Sequence, residues 1–157
     1  MKEIDVFKMA EPITEVLNSF LAPFDCEACM GTEFSYMTAS NTLTYTLVIT
    51  EKSDKAFKEF TDSLFPNIKA DTFLWSTLHE LGHHETEDDF DDDEWEEYMR
   101  RTSSEISDEE YFNLPIEFAA TAWAGYYIES HTEEVARLWN DLTAAIKKFS
   151  DQIELEI

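Results

Sequence analysis

The sequence predicts an α+β fold, mostly helical, with a small antiparallel β-hairpin packed on a central helix and more helices C-terminal to it. Three observations carry that prediction. Only 3 Gly and 4 Pro interrupt 157 residues, which leaves room for long helices. Apolar residues recur at helical spacing through most of the chain. One stretch, 32–49, is instead rich in β-branched and aromatic residues. A hydrophobic content of 43% with 14% aromatics is that of a folded chain, and the length predicts a single domain over 1–157.

Taken in order, residues 11–22 read as an amphipathic helix with Ile13, Val16, Leu17, Phe20 and Leu21 on one stripe, stopped by Pro23. Cys26 and Cys29 follow as a C-x-x-C pair. A structural zinc site would want a second pair and a redox site a β-α-β pattern, and neither is present, so both read as ordinary thiols. The segments 34–38 and 42–49 read as two strands joined by a turn at Ser40-Asn41. In the second, Leu43, Tyr45, Leu47 and Ile49 share one face and Thr42, Thr44, Thr46 and Val48 the other. Ser53 predicts the N-cap of a helix over 54–65, carrying Ala56, Phe57, Phe60 and Leu64 to Pro66. Asp71 predicts the cap of the central helix, whose apolar face is Phe73, Leu74, Thr77, Leu78 and Leu81.

From Glu85 to Glu97, ten of thirteen residues are Asp or Glu. So dense a run of like charge predicts a mobile loop, or more sharply a lid that attracts basic substrate segments. Ser107 with Glu110 predicts the cap of a short helix, and a longer helix should begin near Pro115 and reach Tyr127. Ser130 with Glu133 forms a second capping signature, so a last helix is expected over 131–149.

The charge, −24 from 11 basic and 35 acidic residues, excludes direct nucleic-acid binding and anionic membrane surfaces and favours basic partners. No apolar leader stands in residues 1–8 and no apolar run is long enough to span a bilayer. With only two cysteines, a cytoplasmic location is expected.

Within the central helix lies H-E-x-x-H: His79, Glu80 and His83. On a helix, positions i and i+4 project from one face about 6 Å apart, so two imidazoles can close on one ion at about 2.0–2.1 Å. Glu80 falls at the edge of that face, where its carboxylate can reach a water held by zinc. Zinc lowers the pKa of such a water to about 7 and a carboxylate takes its proton as the oxygen attacks a carbonyl.

A catalytic zinc needs a third protein ligand and an open position. Two placements compete. The metzincin spacing points to Asp89, six residues after His83, but wants a turn glycine where Thr86 stands. The other is Glu117, a lone carboxylate in the first turn of an apolar helix, where it would otherwise serve only the helix dipole. Ala120 and Ala124, one and two turns on, would let that helix approach the histidine helix closely. His84 points away from His83, and Tyr126, Tyr127 and His131 are the nearest candidates by sequence for an oxyanion donor, each better explained by packing or capping.

His79-Glu80-Leu81-Gly82-His83 followed by Glu117-Phe-Ala-Ala120-Thr-Ala-Trp123-Ala124 resembles the ImmA/IrrE-type zinc metallopeptidases, in which an H-E-x-x-H helix precedes an E-x-x-A-x-x-F-A helix. Trp123 stands for the usual Phe, Thr121 where Asn or Asp is frequent, and the likeness covers about 53–128. It implies a zincin-like domain, Zn2+ held by His79, His83 and Glu117, and Glu80 as general base. It further implies peptide-bond hydrolysis in an intracellular protein substrate, in bacteria or phage-related elements, often a DNA-binding repressor. The acidic run is foreign to the pattern. Two other readings stand beside it: a zincin-like acidic protein that occupies a basic surface of a nucleic-acid-binding partner without catalysis, and a helical domain with purely structural zinc.

Overall fold

The computed structural model describes residues 5–48 and 50–156. After a short helix α1 (Val6–Met9), the chain forms α2 (Glu11–Leu21), which turns its stripe of Ile13, Leu17 and Leu21 fully inward. Pro23 sits in a 3-10 turn, Ala22–Phe24, and Asp25 then adopts a left-handed conformation (φ 55°) that redirects the chain into the sheet.

The sheet has three strands in the order β1-β3-β2: β1 (Glu27–Met30), β2 (Ser35–Met37) and β3 (Thr42–Tyr45). The expected antiparallel hairpin is β2 with β3, in the register Tyr36 to Leu43. Its turn is a 3-10 turn, Thr38–Ser40, closed by Asn41 at φ 51°. β1 pairs parallel to β3 from Glu27–Thr42 to Met30–Tyr45. β3 is therefore central, and it stops at Tyr45 rather than running on to 49. Leu43 and Tyr45 are buried as the alternation predicts, Leu47 is half-buried, and Ile49 lies outside the described residues. The Asn18 side chain accepts from the Ala28 amide at 2.7 Å, and Thr14 and Tyr45 share a hydroxyl contact at 2.6 Å, so α2 is pinned to the sheet by polar as well as apolar contact.

α3 spans Glu51–Leu64. It begins ahead of Ser53, which lies inside its first turn and is not its cap. α4 (Thr72–Thr86) starts where expected, with the Asp71 carboxylate accepting from the Phe73 amide at 2.8 Å. The acidic run is helical. After a 3-10 turn, Glu87–Asp89, a capping box of Asp91 and Glu94 opens α5 (Asp92–Thr102). The loop reading fails because acids in a first turn complement the helix dipole and two cap reciprocally, which offsets part of their mutual repulsion. α6 (Asp108–Asn113) is capped by Ser107 as predicted, and α7 spans Pro115–Ser130. Ser130 ends α7 and bonds back to the Tyr126 carbonyl, so it does not cap α8, which spans Thr132–Glu156 and is longer than expected.

One buried cluster joins α2, β3, α4, α7 and α8. Among the described residues, no helix is long and apolar enough to cross a membrane.

Candidate metal centre

The site begins with the crossing of α4 and α7. A Cβ placed on Gly82 would lie 2.4 Å from the Ala120 carbonyl oxygen, so the two backbones touch where only glycine fits. Ala120 and Ala124 are fully buried in the same seam, as their size predicted. This close approach carries Glu117, one turn before Ala120, over the histidine face of α4.

His79, Glu80 and His83 bring one donor atom each within 4.8 Å of one another, a buried group that could hold a metal ion. Glu117 Oε1 lies 3.0 Å from His79 Nε2 and 3.1 Å from His83 Nε2. The two rings meet edge to face with centroids 4.7 Å apart. Glu117 is only 1% exposed, so the lone carboxylate of the apolar helix is buried and partnered by both histidines.

Hydrogen-bond directions sharpen this arrangement. The Thr121 hydroxyl donates to the Glu117 backbone carbonyl at 3.3 Å and so receives the His79 Nδ1 proton at 2.9 Å. A neutral His79 then presents a bare lone pair at Nε2 to a carboxylate oxygen. Two such acceptors at 3.0 Å repel unless a proton or a cation lies between them. Ligand atoms about 2.0–2.1 Å from a tetrahedral ion are spaced by about 3.3 Å, close to what is seen. Two imidazoles and one carboxylate are also a donor set suited to zinc. The residues fit the ion.

Burial pushes the Glu117 carboxyl up, but its contacts with His79 and His83, bridged by a proton where no ion lies, outweigh it and hold the group well below the usual carboxylate range. Burial works against a charge on His83, yet the bond to Glu117 and its negative charge leave the imidazole raised. Burial dominates at Glu80 and raises its carboxyl, against the pull of the two histidines.

A cleft of about 350 Å³ opens onto the group, reaching His79, Glu80 and Glu117 from between residues 32–34 and 46–50. Its apolar wall includes Phe34, Phe57 and Phe112, and Glu33 and Asp54 stand at its rim. Glu80 is 8% exposed here.

The remaining candidates lie apart. Asp89 is exposed at the end of its 3-10 turn. Tyr126 is 65% exposed and packs on Phe65, while Tyr127 bonds Glu134 at 2.8 Å and stacks on His131. His84 turns away to brace the fold: its Nε2 donates to the Phe24 carbonyl at 2.7 Å, so its Nδ1 receives the Tyr36 hydroxyl at 2.6 Å. Cys26 is buried, which pushes its thiol up, and Cys29 is exposed. Three residues apart along extended chain, they face opposite sides of the sheet and form no chelating pair.

Two partners of the site escape a linear reading. Thr121 holds His79, and Tyr98, from the acidic helix α5, donates to Glu117 Oε2 at 2.5 Å. Tyr111 lines the cleft beside Tyr98 and Glu117, and burial with the Glu117 charge raises both phenols far enough to keep them protonated. The sequence carries the helix of Tyr98 but not its contact: Asp91-x-x-Glu94 is a capping box, and Trp95 and Tyr98 recur at helical spacing after it.

No family model matches the chain, and no curated protein or solved structure does so either.

Proposed function

We propose that the chain is a zinc-dependent endopeptidase, with His79, His83 and Glu117 holding Zn2+ and Glu80 acting as general base. The observation that carries this is the meeting of two Nε2 atoms and one carboxylate oxygen beside a cleft that Glu80 also lines. When bound, zinc supplies Lewis acidity toward a carbonyl oxygen and makes water acidic near neutral pH. Glu80 takes a proton from the attacking water onto its carboxylate and passes it to the leaving amine nitrogen. Its raised pKa suits a group that must hold that proton between the two transfers. The ImmA/IrrE-like order of an H-E-x-x-H helix and a later E-x-x-A helix supports the same roles.

A substrate strand laid along 42–45 is not available, because β3 is paired on both sides. The free edge of β2 leads into the cleft through residues 32–34, which supports that edge as the docking line of the substrate. Glu33 and Asp54 at the rim favour a basic protein substrate, a DNA-binding repressor being one such class. The test is Glu80→Gln. Zinc content measured on the purified protein should stay near one per chain while cleavage of a basic protein substrate disappears. Turnover retained by that variant overturns the mechanism.

The acidic decoy reading is favoured by one feature: α5 buries no residue and turns its carboxylates to solvent. It predicts tight binding to a basic protein that survives His79→Ala, with no metal in the wild type.

A further inference from the structure

We infer that Tyr98 is a positioning residue for the metal centre, its hydroxyl fixing Glu117 so that a single oxygen, Oε1, is offered to the ion shared with His79 and His83. The inference rests on the zinc reading above. Three observations carry it. The Tyr98 hydroxyl donates to Oε2 at 2.5 Å, and both histidines meet Oε1, so the two carboxylate oxygens have separate partners. A carboxylate is free to rotate and to ligate through both oxygens, and a donor on one of them removes that freedom.

The second observation is where Tyr98 comes from. α5 buries no residue, and apart from the approach of Tyr98 to Tyr111 its other ties to the body are weak: Trp95 Nε1 to the Glu87 carbonyl at 3.4 Å, and a part-exposed Arg101–Glu110 ion pair at 3.6 Å. Its one short bond to a buried group ends on the carboxylate that the histidines share. The third is that the partner of Tyr98 is an acceptor only, so the direction of the bond is fixed. The acidic helix thus acts on the site through one hydroxyl, which gives the unexplained charge run a place in the site without making its acids ligands.

The experiment titrates zinc against a chromophoric chelator in the full chain as wild type, Tyr98→Phe and Trp95→Phe, with Co2+ absorption spectra recorded for each. Tyr98→Phe keeps the ring and should weaken zinc about 10–100-fold, as loss of an outer hydrogen bond to a ligand does. Its Co2+ spectrum should shift as Glu117 gains its second oxygen. Trp95→Phe removes the bond to the Glu87 carbonyl but keeps an aromatic ring edge to face with Tyr98, so it should match the wild type in both. Unchanged affinity and spectrum in Tyr98→Phe overturn the inference, as does equal weakening in Trp95→Phe, which would make α5 docking the cause. A wild type that binds no zinc overturns the zinc reading as well.

Discussion

Thr121 acts at the site through one contact. It gives His79 Nδ1 an acceptor at 2.9 Å, which leaves Nε2 bare toward Glu117. Thr121→Val keeps the shape and removes that acceptor, so zinc affinity should fall about 10-fold or more, with Thr121→Ser restoring most of it, both read by chelator competition. At this scale the sequence was informative in proportion to local geometry. His79, Glu80 and His83 share one helical turn, and Glu117 betrayed itself as a charge among apolar neighbours. Thr121 and Tyr98 did not, because a threonine in an apolar helix and a tyrosine in an acidic run each have an ordinary local explanation. Their roles exist only across the contact between helices.

Between elements, the crossing of α4 and α7 is what makes the site. A methyl on Gly82 would meet backbone, the Ala120 carbonyl, which no side-chain rotation can relieve. Gly82→Ala should therefore cost about 1–3 kcal/mol of stability in denaturant melts and loosen zinc, since the helices must separate to admit it. The helices themselves were legible where caps and apolar stripes coincide, as at Asp71 and Pro115. Two elements were hidden for different reasons. β1 is four residues long and has no β-branched or aromatic side chain, so it is made by pairing with β3 rather than by propensity. In α5 the charges mask a helix whose capping box is plain once repulsion is weighed against it.

Over the whole molecule the strand order β1-β3-β2 could not be read, because parallel pairing joins segments whose local patterns say nothing of each other. It matters, since it removes β3 as a docking edge and leaves β1 and β2, of which β2 leads into the cleft. The charge of −24 was legible and has a global consequence. Repulsion among exposed carboxylates opposes compaction, and salt screens it, the Debye length falling from about 30 Å at 0.01 M to about 8 Å at 0.15 M. The metal-free protein should melt higher as sodium chloride is raised across that range, in thermal scans by circular dichroism. A melting point that falls would mean that local ion pairs outweigh the net repulsion. The packing of α2 against α8 bears on how the chain is made. The side of α2 that α8 covers must wait for residues 132–156, on the order of ten seconds of synthesis at ribosomal speed. The helices bearing the histidines and Glu117 emerge before then, so the site can be assembled on the nascent chain while α2, already seated on its sheet, still lacks the cover of α8.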